Sequence, residues 1–190
     1  MPDYVTILGS GLLSAILSLL VSVSTIEYRF RRKQDIEDES EIREWYDRAE
    51  ELVKEAEYAF IYSIHSERNS INRAYDELDP LIKPLHVHGH TAPDQVPGPV
   101  IHSLDHLATI CDEIVGIIDP VLDFQDLDPE ARREWLSERL PRGVEMDIPP
   151  IKDREEWEDV RKQIVNQAME ENINSVEEVL IEVRENRKSL

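Results

Sequence analysis

The stretch from Tyr4 to Ile26 constrains this chain most: YVTILGSGLLSAILSLLVSVSTI, 23 consecutive residues without a charged side chain. As an α-helix rising about 1.5 Å per residue it reaches ~34 Å, enough to cross a hydrocarbon core of roughly 30 Å with some tilt. Arg29, Arg31, Arg32 and Lys33 follow at once, while only Met1, Pro2 and Asp3 precede it. Cations gather on the cytoplasmic side of a span, so the reading is a single-pass anchor with the N-terminus outside and the bulk of the chain in the cytoplasm. Tyr4, Tyr28 and Phe30 stand where interfacial aromatic anchors belong. A cleaved signal peptide would need a basic leading region and a shorter apolar run ending in small residues, and Met-Pro-Asp-Tyr carries no cation. A buried core helix fits poorly with four cations set against its end. The expected organisation is an anchor with a basic collar at 1–33 and an acidic helical domain at 34–190, the lipid bilayer being the first partner.

Within the span, Ser10, Ser14, Ser18 and Ser22 recur every four residues, with Gly11 and Ala15 on the adjoining strip. Small residues at that spacing let two membrane helices approach closely and hydrogen-bond across the seam. That face suits a second copy of the chain or another membrane protein. The plainer reading is that each serine bonds its own preceding carbonyl and faces lipid. The collar Arg29, Arg31, Arg32 and Lys33 sets topology, and it is also placed to meet anionic headgroups.

Charge narrows the field of partners. Lys and Arg number 21 against 41 Asp and Glu, a net charge of −20, which excludes nonspecific binding to nucleic acid. The excess is spread along the chain, the pattern of a solvated surface more than of an acidic tail. Such a surface repels itself in dilute buffer, and salt screens that repulsion to within roughly 3 Å at 1 M. The preference for Arg over Lys agrees with a protein adapted to high salt; an ordinary acidic protein with a cationic partner is the alternative. The single cysteine, Cys111, excludes a disulfide framework and any multi-cysteine zinc site, and its place on an apolar helix stripe suits packing.

From the collar onward the apolar spacing is helical. Asp38 with Glu41 resembles a capping box, and Ile42, Trp45, Ala49, Leu52, Ala56 and Ala59 follow at intervals of three and four. The stripe fades at Glu67–Ser70, resumes at Ile71, Ala74 and Leu78, and Asp79-Pro80 reads as its end, giving a helix of about 40 residues. Residues 80–100, PLIKPLHVHGHTAPDQVPGPV, read as a loop. A third helix carries Ile101, Leu104, Leu107, Cys111, Ile114 and Ile118 on one side. A short helix at 129–140 opens with Asp128 as N-cap and Pro129 in its first turn. The last starts at Asp153 and Glu156 and bears Trp157, Val160, Ile164, Ala168, Ile173, Val176, Leu180 and Val183. No alternating β-branched run survives. The expected fold is all-α: an N-terminal transmembrane helix, then a cytoplasmic antiparallel bundle of three to four helices.

One chemical constellation stands out. Five of the six histidines, His86, His88, His90, His102 and His106, lie within 21 residues. His102 and His106 stand four apart on the predicted third helix, the spacing used by metal-binding pairs, and the loop histidines with Asp105 or Asp112 could complete a zinc or other transition-metal site. The plainer reading is a solvated polar loop; a pH-responsive cluster is a third. Phosphate-binding, dinucleotide and nucleophile-elbow motifs are absent, and no catalytic residue is assigned. The sequence therefore favours a membrane-tethered, non-catalytic helical module that binds other proteins or itself, without a cofactor. A metal-binding enzyme or sensor built on the histidines is the alternative.

Overall fold

The structure, a computed structural model, describes residues 31–33, 36–62, 70–118 and 127–189. The chain divides into two compact units, Met1–Glu41 and Ile42–Leu190. The apolar stretch at 4–26, the small-residue face of Ser10, Gly11, Ser14, Ala15, Ser18 and Ser22, and Arg29 lie outside the described residues. In the first unit, 31–33 and 36–41 are helical and exposed, and Lys33 pairs with Glu37 at 3.5 Å. Asp38 is thus inside a helical run and does not cap one. Among the described residues no helix is long and apolar enough to cross a membrane.

The second unit is all helical, with no strand among its described residues. It contains α1 (42–62), α2 (Ser70–His90), α3 (Gly98–Ile118), α4 (Pro129–Ser137) and α5 (Arg154–Lys188). Four long helices run alternately up and down, and the short α4 lies in the connection to α5. The predicted helix of about 40 residues is in fact two antiparallel helices: Trp45, near the start of α1, meets His88, near the end of α2.

The expected loop at 80–100 is the main correction. Pro80 and Pro84 lie inside α2, which ends only at His90, and the true connection to α3 is 91–97. A proline inside a helix removes one hydrogen bond and crowds the preceding turn, a penalty of about 3 kcal/mol. What outweighs it is the stripe Ala74, Leu78, Leu81 and Leu85, all buried, which keeps helical spacing straight through both prolines. Each leucine so buried contributes roughly 1.5–3 kcal/mol. Pro80 itself is exposed and Pro84 half-buried, so the rings are not in the centre of the seam.

Elsewhere the local signals act as their chemistry requires. Asp128 accepts from the Ala131 amide at 2.9 Å and starts α4 at Pro129, although α4 stops at Ser137, short of residue 140. Asp153 accepts from the Glu156 amide at 2.9 Å, and the Glu156 carboxylate accepts from the Lys152 amide at 2.8 Å, so the box reaches one residue further back than the usual pairing. Leu104, Leu107, Cys111 and Ile114 of α3 pack between α2 and α5, with Ile164, Ala168, Val176 and Val183 of α5 buried opposite.

Buried polar side chains hold the ends. Arg161 is buried on α5 and its Nε donates to the Ile117 carbonyl at 2.7 Å, serving one of the carbonyls that the last turn of α3 leaves open. Arg132, buried on α4, donates to the Ile151 carbonyl at 3.0 Å and ties α4 to the segment before α5. At the other end, Glu50 on α1 receives Lys54 at 2.8 Å, Arg184 at 2.9 Å and Arg187 at 3.1 Å, and Arg187 also pairs with Asp47. Hydrogen bonds from Lys54 and then Arg184 hold the Glu50 carboxyl down at about 2.

Candidate functional site

The histidine cluster separates into distinct environments once α2 is a helix. His86 and His90 stand one turn apart on it, and Asp105 on α3 faces them. His86 Nδ1 lies 2.6 Å from Asp105 Oδ1 and His90 Nε2 lies 4.0 Å from the same oxygen. An ionised carboxylate only accepts, so the Nδ1 proton of His86 is donated to Asp105. One ligand atom from each of the three falls within 4.8 Å of the others, the one such group of three among the described residues. All three side chains reach solvent, at 37% exposure for His86, 42% for Asp105 and 76% for His90. Between the two histidines Gly89 is buried; a Cβ there would stand 3.6 Å from the Ile101 carbonyl oxygen, so the α2 backbone runs close to α3 beside the cluster.

The remaining histidines do other work. His88 stacks on Trp45, ring centroids 4.7 Å apart and planes 9° apart. Trp45 Nε1 donates to the His88 carbonyl at 3.1 Å, and His88 Nε2 donates to the Trp45 carbonyl at 2.9 Å. This reciprocal pair fastens the start of α1 to the end of α2 and leaves His88 turned away from His86 and His90. His106 sits with its Nδ1 3.3 Å from Arg142 Nη1, a guanidinium also held by Glu113 at 2.9 Å, and a fixed cation there opposes a metal ion. His102 is exposed on α3, and Asp112 is exposed on the same helix. The predicted partnership of His102 with His106 thus gives way to one of His86 with His90: both pairs stand four apart on a helix, but Asp105 faces the pair on α2, whereas Arg142 stands against His106. The apolar spacing of Leu78, Leu81 and Leu85 was the signal that could have revealed it.

Burial lowers the His88 imidazole below its ordinary value and Arg48 adds to that, while the hydrogen bond to Trp45 works in the opposite sense. The fold therefore keeps His88 neutral, whereas the unfolded chain charges near pH 6.5. The stability this group contributes is complete above pH 6.5 and is lost as pH falls below it. We expect the urea midpoint of the full chain in detergent to drop between pH 7.5 and 5.5, and His88→Gln, which keeps a donor, to flatten that slope. An unchanged slope in the variant would remove His88 as its cause.

Cys111 is fully buried and burial pushes its thiol up to about 12, so it packs as a small hydrophobe and offers no thiolate. Arg31, Arg32 and Lys33 of the collar are helical and exposed.

No family model, curated protein or solved structure matches this chain.

A second surface feature lies between α1 and α2. An open groove of about 450 Å³ is lined by Glu51, Lys54, Glu55, Tyr58, Asp76, Glu77, Pro80 and Leu81. Tyr58 is 52% exposed and packs on exposed Tyr62 at 5.3 Å, while the Arg73 guanidinium lies 3.7 Å over the Tyr62 ring. The groove has an apolar floor and four carboxylates against one ammonium.

Proposed function

We propose that this chain is a single-pass membrane protein whose helical bundle works, without catalysis, as an interaction module at the inner face of the membrane. Two features support the reading. The uncharged stretch at 4–26 with the collar at 29–33 supplies the tether. The observation that carries the interaction role is the groove between α1 and α2, where Tyr58 stands exposed among Glu51, Glu55, Asp76 and Glu77. An exposed aromatic on an apolar floor with a single-sign rim fits an amphipathic segment of a basic partner. The serine face, Ser10 to Ser22, offers a second contact within the bilayer, to another copy or another membrane protein. A surface of net charge −20 carrying many exposed carboxylates is suited to a salt-rich cytoplasm, where screening relieves its self-repulsion.

Fractionation of cells making the full chain tests the tether. The chain is expected in the membrane fraction after washing at high salt and at alkaline pH, shielded from protease added to intact cells. A chain lacking 1–33 should move wholly to the soluble fraction. Full extraction of the complete chain by alkaline wash, or its digestion from outside, would overturn the reading. In the same membranes a photo-cross-linking side chain at Tyr58 should yield one discrete adduct, lost when Glu51→Lys and Glu55→Lys reverse the rim. Absence of an adduct, or its persistence after reversal, would remove the groove as the docking face.

The alternative, a metal-dependent enzyme or sensor, gains from one observation alone, the meeting of His86, His90 and Asp105.

A further inference from the structure

We propose that His86, His90 and Asp105 form a binding site for one divalent transition-metal ion of the zinc class, joining the last turns of α2 to the first half of α3. This stands apart from the tether and the groove, and neither needs the other.

The donor set is the first argument. Two imidazoles and a carboxylate are the mixture that zinc accepts, and imidazole nitrogen selects zinc, nickel or copper over magnesium or calcium. The i, i+4 placement on α2 presents both rings on one face, and α3 supplies the oxygen from across the seam, so the ligand set does not depend on a loop.

The distances are the second. Ligands about 2.0–2.1 Å from a tetrahedral zinc are about 3.3 Å from one another. The distances of 2.6 Å and 4.0 Å from the Asp105 oxygen to His86 and His90 bracket that value. One pair must open and the other close by about 0.7 Å each. Rotations of exposed side chains accomplish this while the helices stay where they are, since His90 is 76% exposed and Asp105 42%. The His86–Asp105 hydrogen bond already gathers two of the three ligands; a metal bound at Nδ1 leaves the imidazole neutral, its one ring proton carried on Nε2.

Electrostatics is the third argument. The site lies in the last turns of α2, at the negative end of that helix's dipole, which favours a cation. The net charge of −20 favours a cation as well. Three protein ligands leave at least one position open, so water or a partner's side chain completes the shell, as in exchangeable and catalytic sites more than in closed structural ones.

The test uses the full chain, stripped of metal, in detergent and high salt, titrated with zinc chloride against a chromogenic chelator. One equivalent is expected to bind in the micromolar range, and a cobalt(II) titration should develop visible absorption of an imidazole-ligated ion. His90→Ala is decisive because an exposed side chain can be removed without disturbing the fold: affinity should fall at least tenfold, with unchanged circular dichroism. Asp105→Asn should weaken binding similarly, while His102→Ala and His106→Ala should leave it intact. Absence of saturable binding at 100 µM zinc would overturn the proposal. So would binding indifferent to His90→Ala, which would assign the metal to the general acidic surface, and so would a loss in His102→Ala or His106→Ala as large as that in His90→Ala.

Discussion

Replacing Trp45 by alanine is expected to cost the bundle about 3–5 kcal/mol, the range for deleting a buried aromatic side chain. Against a total stability of roughly 5–15 kcal/mol for a domain, that is a third or more of what holds the fold. Three losses act together. A large buried surface is replaced by a cavity, the stack on His88 disappears, and the His88 carbonyl loses the indole N–H at 3.1 Å. Trp45→Phe separates them, since it retains a ring over His88 but not the donor. It should cost about 1–2 kcal/mol, the range for depriving a part-buried carbonyl of one partner. Because the residues touch, Trp45→Ala and His88→Ala should not add, and a coupling of about 0.5–3 kcal/mol is expected in a double-mutant cycle. Urea denaturation of the full chain in detergent provides the measurement. A loss below 1 kcal/mol for Trp45→Ala would mean that the end of α2 does not lie against the start of α1.

That contact marks the boundary between what was legible in the sequence and what was not. The apolar stripes of α3 and α5, and the caps at Asp128 and Asp153, stand where periodicity and capping chemistry put them, because those signals are local. The break between α1 and α2 was visible only as a fading of the stripe at Glu67–Ser70, too weak to separate a pause from a reversal of direction. Asp79-Pro80 was misleading for a physical reason. A proline opposes helix by a fixed local amount, whereas the burial of Leu81 and Leu85 that overrides it depends on helices distant in sequence. The same proline signal hides the site. A loop at 80–100 gives His86 and His90 no defined separation, whereas His102 and His106 stand four apart on a helix whose stripe is plain in the sequence. Buried Arg132 and Arg161, and the clasp of Glu50 with Arg184 and Arg187, leave no signal at all, for charged residues are abundant on α1, α4 and α5 and only the fold selects which are covered.

The prolines give the second large effect, of opposite sign. Replacing Pro80 and Pro84 together by alanine is expected to stabilise the protein by about 2–4 kcal/mol. Each substitution restores an amide that can donate within the helix, from position 80 to the Asp76 carbonyl and from position 84 to the carbonyl of residue 80, and relieves crowding on the preceding turn. The full difference in helix propensity is about 3 kcal/mol per site. Two effects reduce it: proline stiffens the unfolded chain, so its loss returns about 0.4–1 kcal/mol per site to that state, and the present packing has settled around the rings, Pro80 lining the groove beside Tyr58. Each single variant should therefore gain about 1–2 kcal/mol, read as a higher urea midpoint with an unchanged slope. A double variant less stable than the parent would show that α2 is not helical through both positions, and His86 and His90 would then lose the one-turn separation that places them together before Asp105. A gain would support a continuous α2 and leave zinc affinity where it was, since neither proline touches the three ligands.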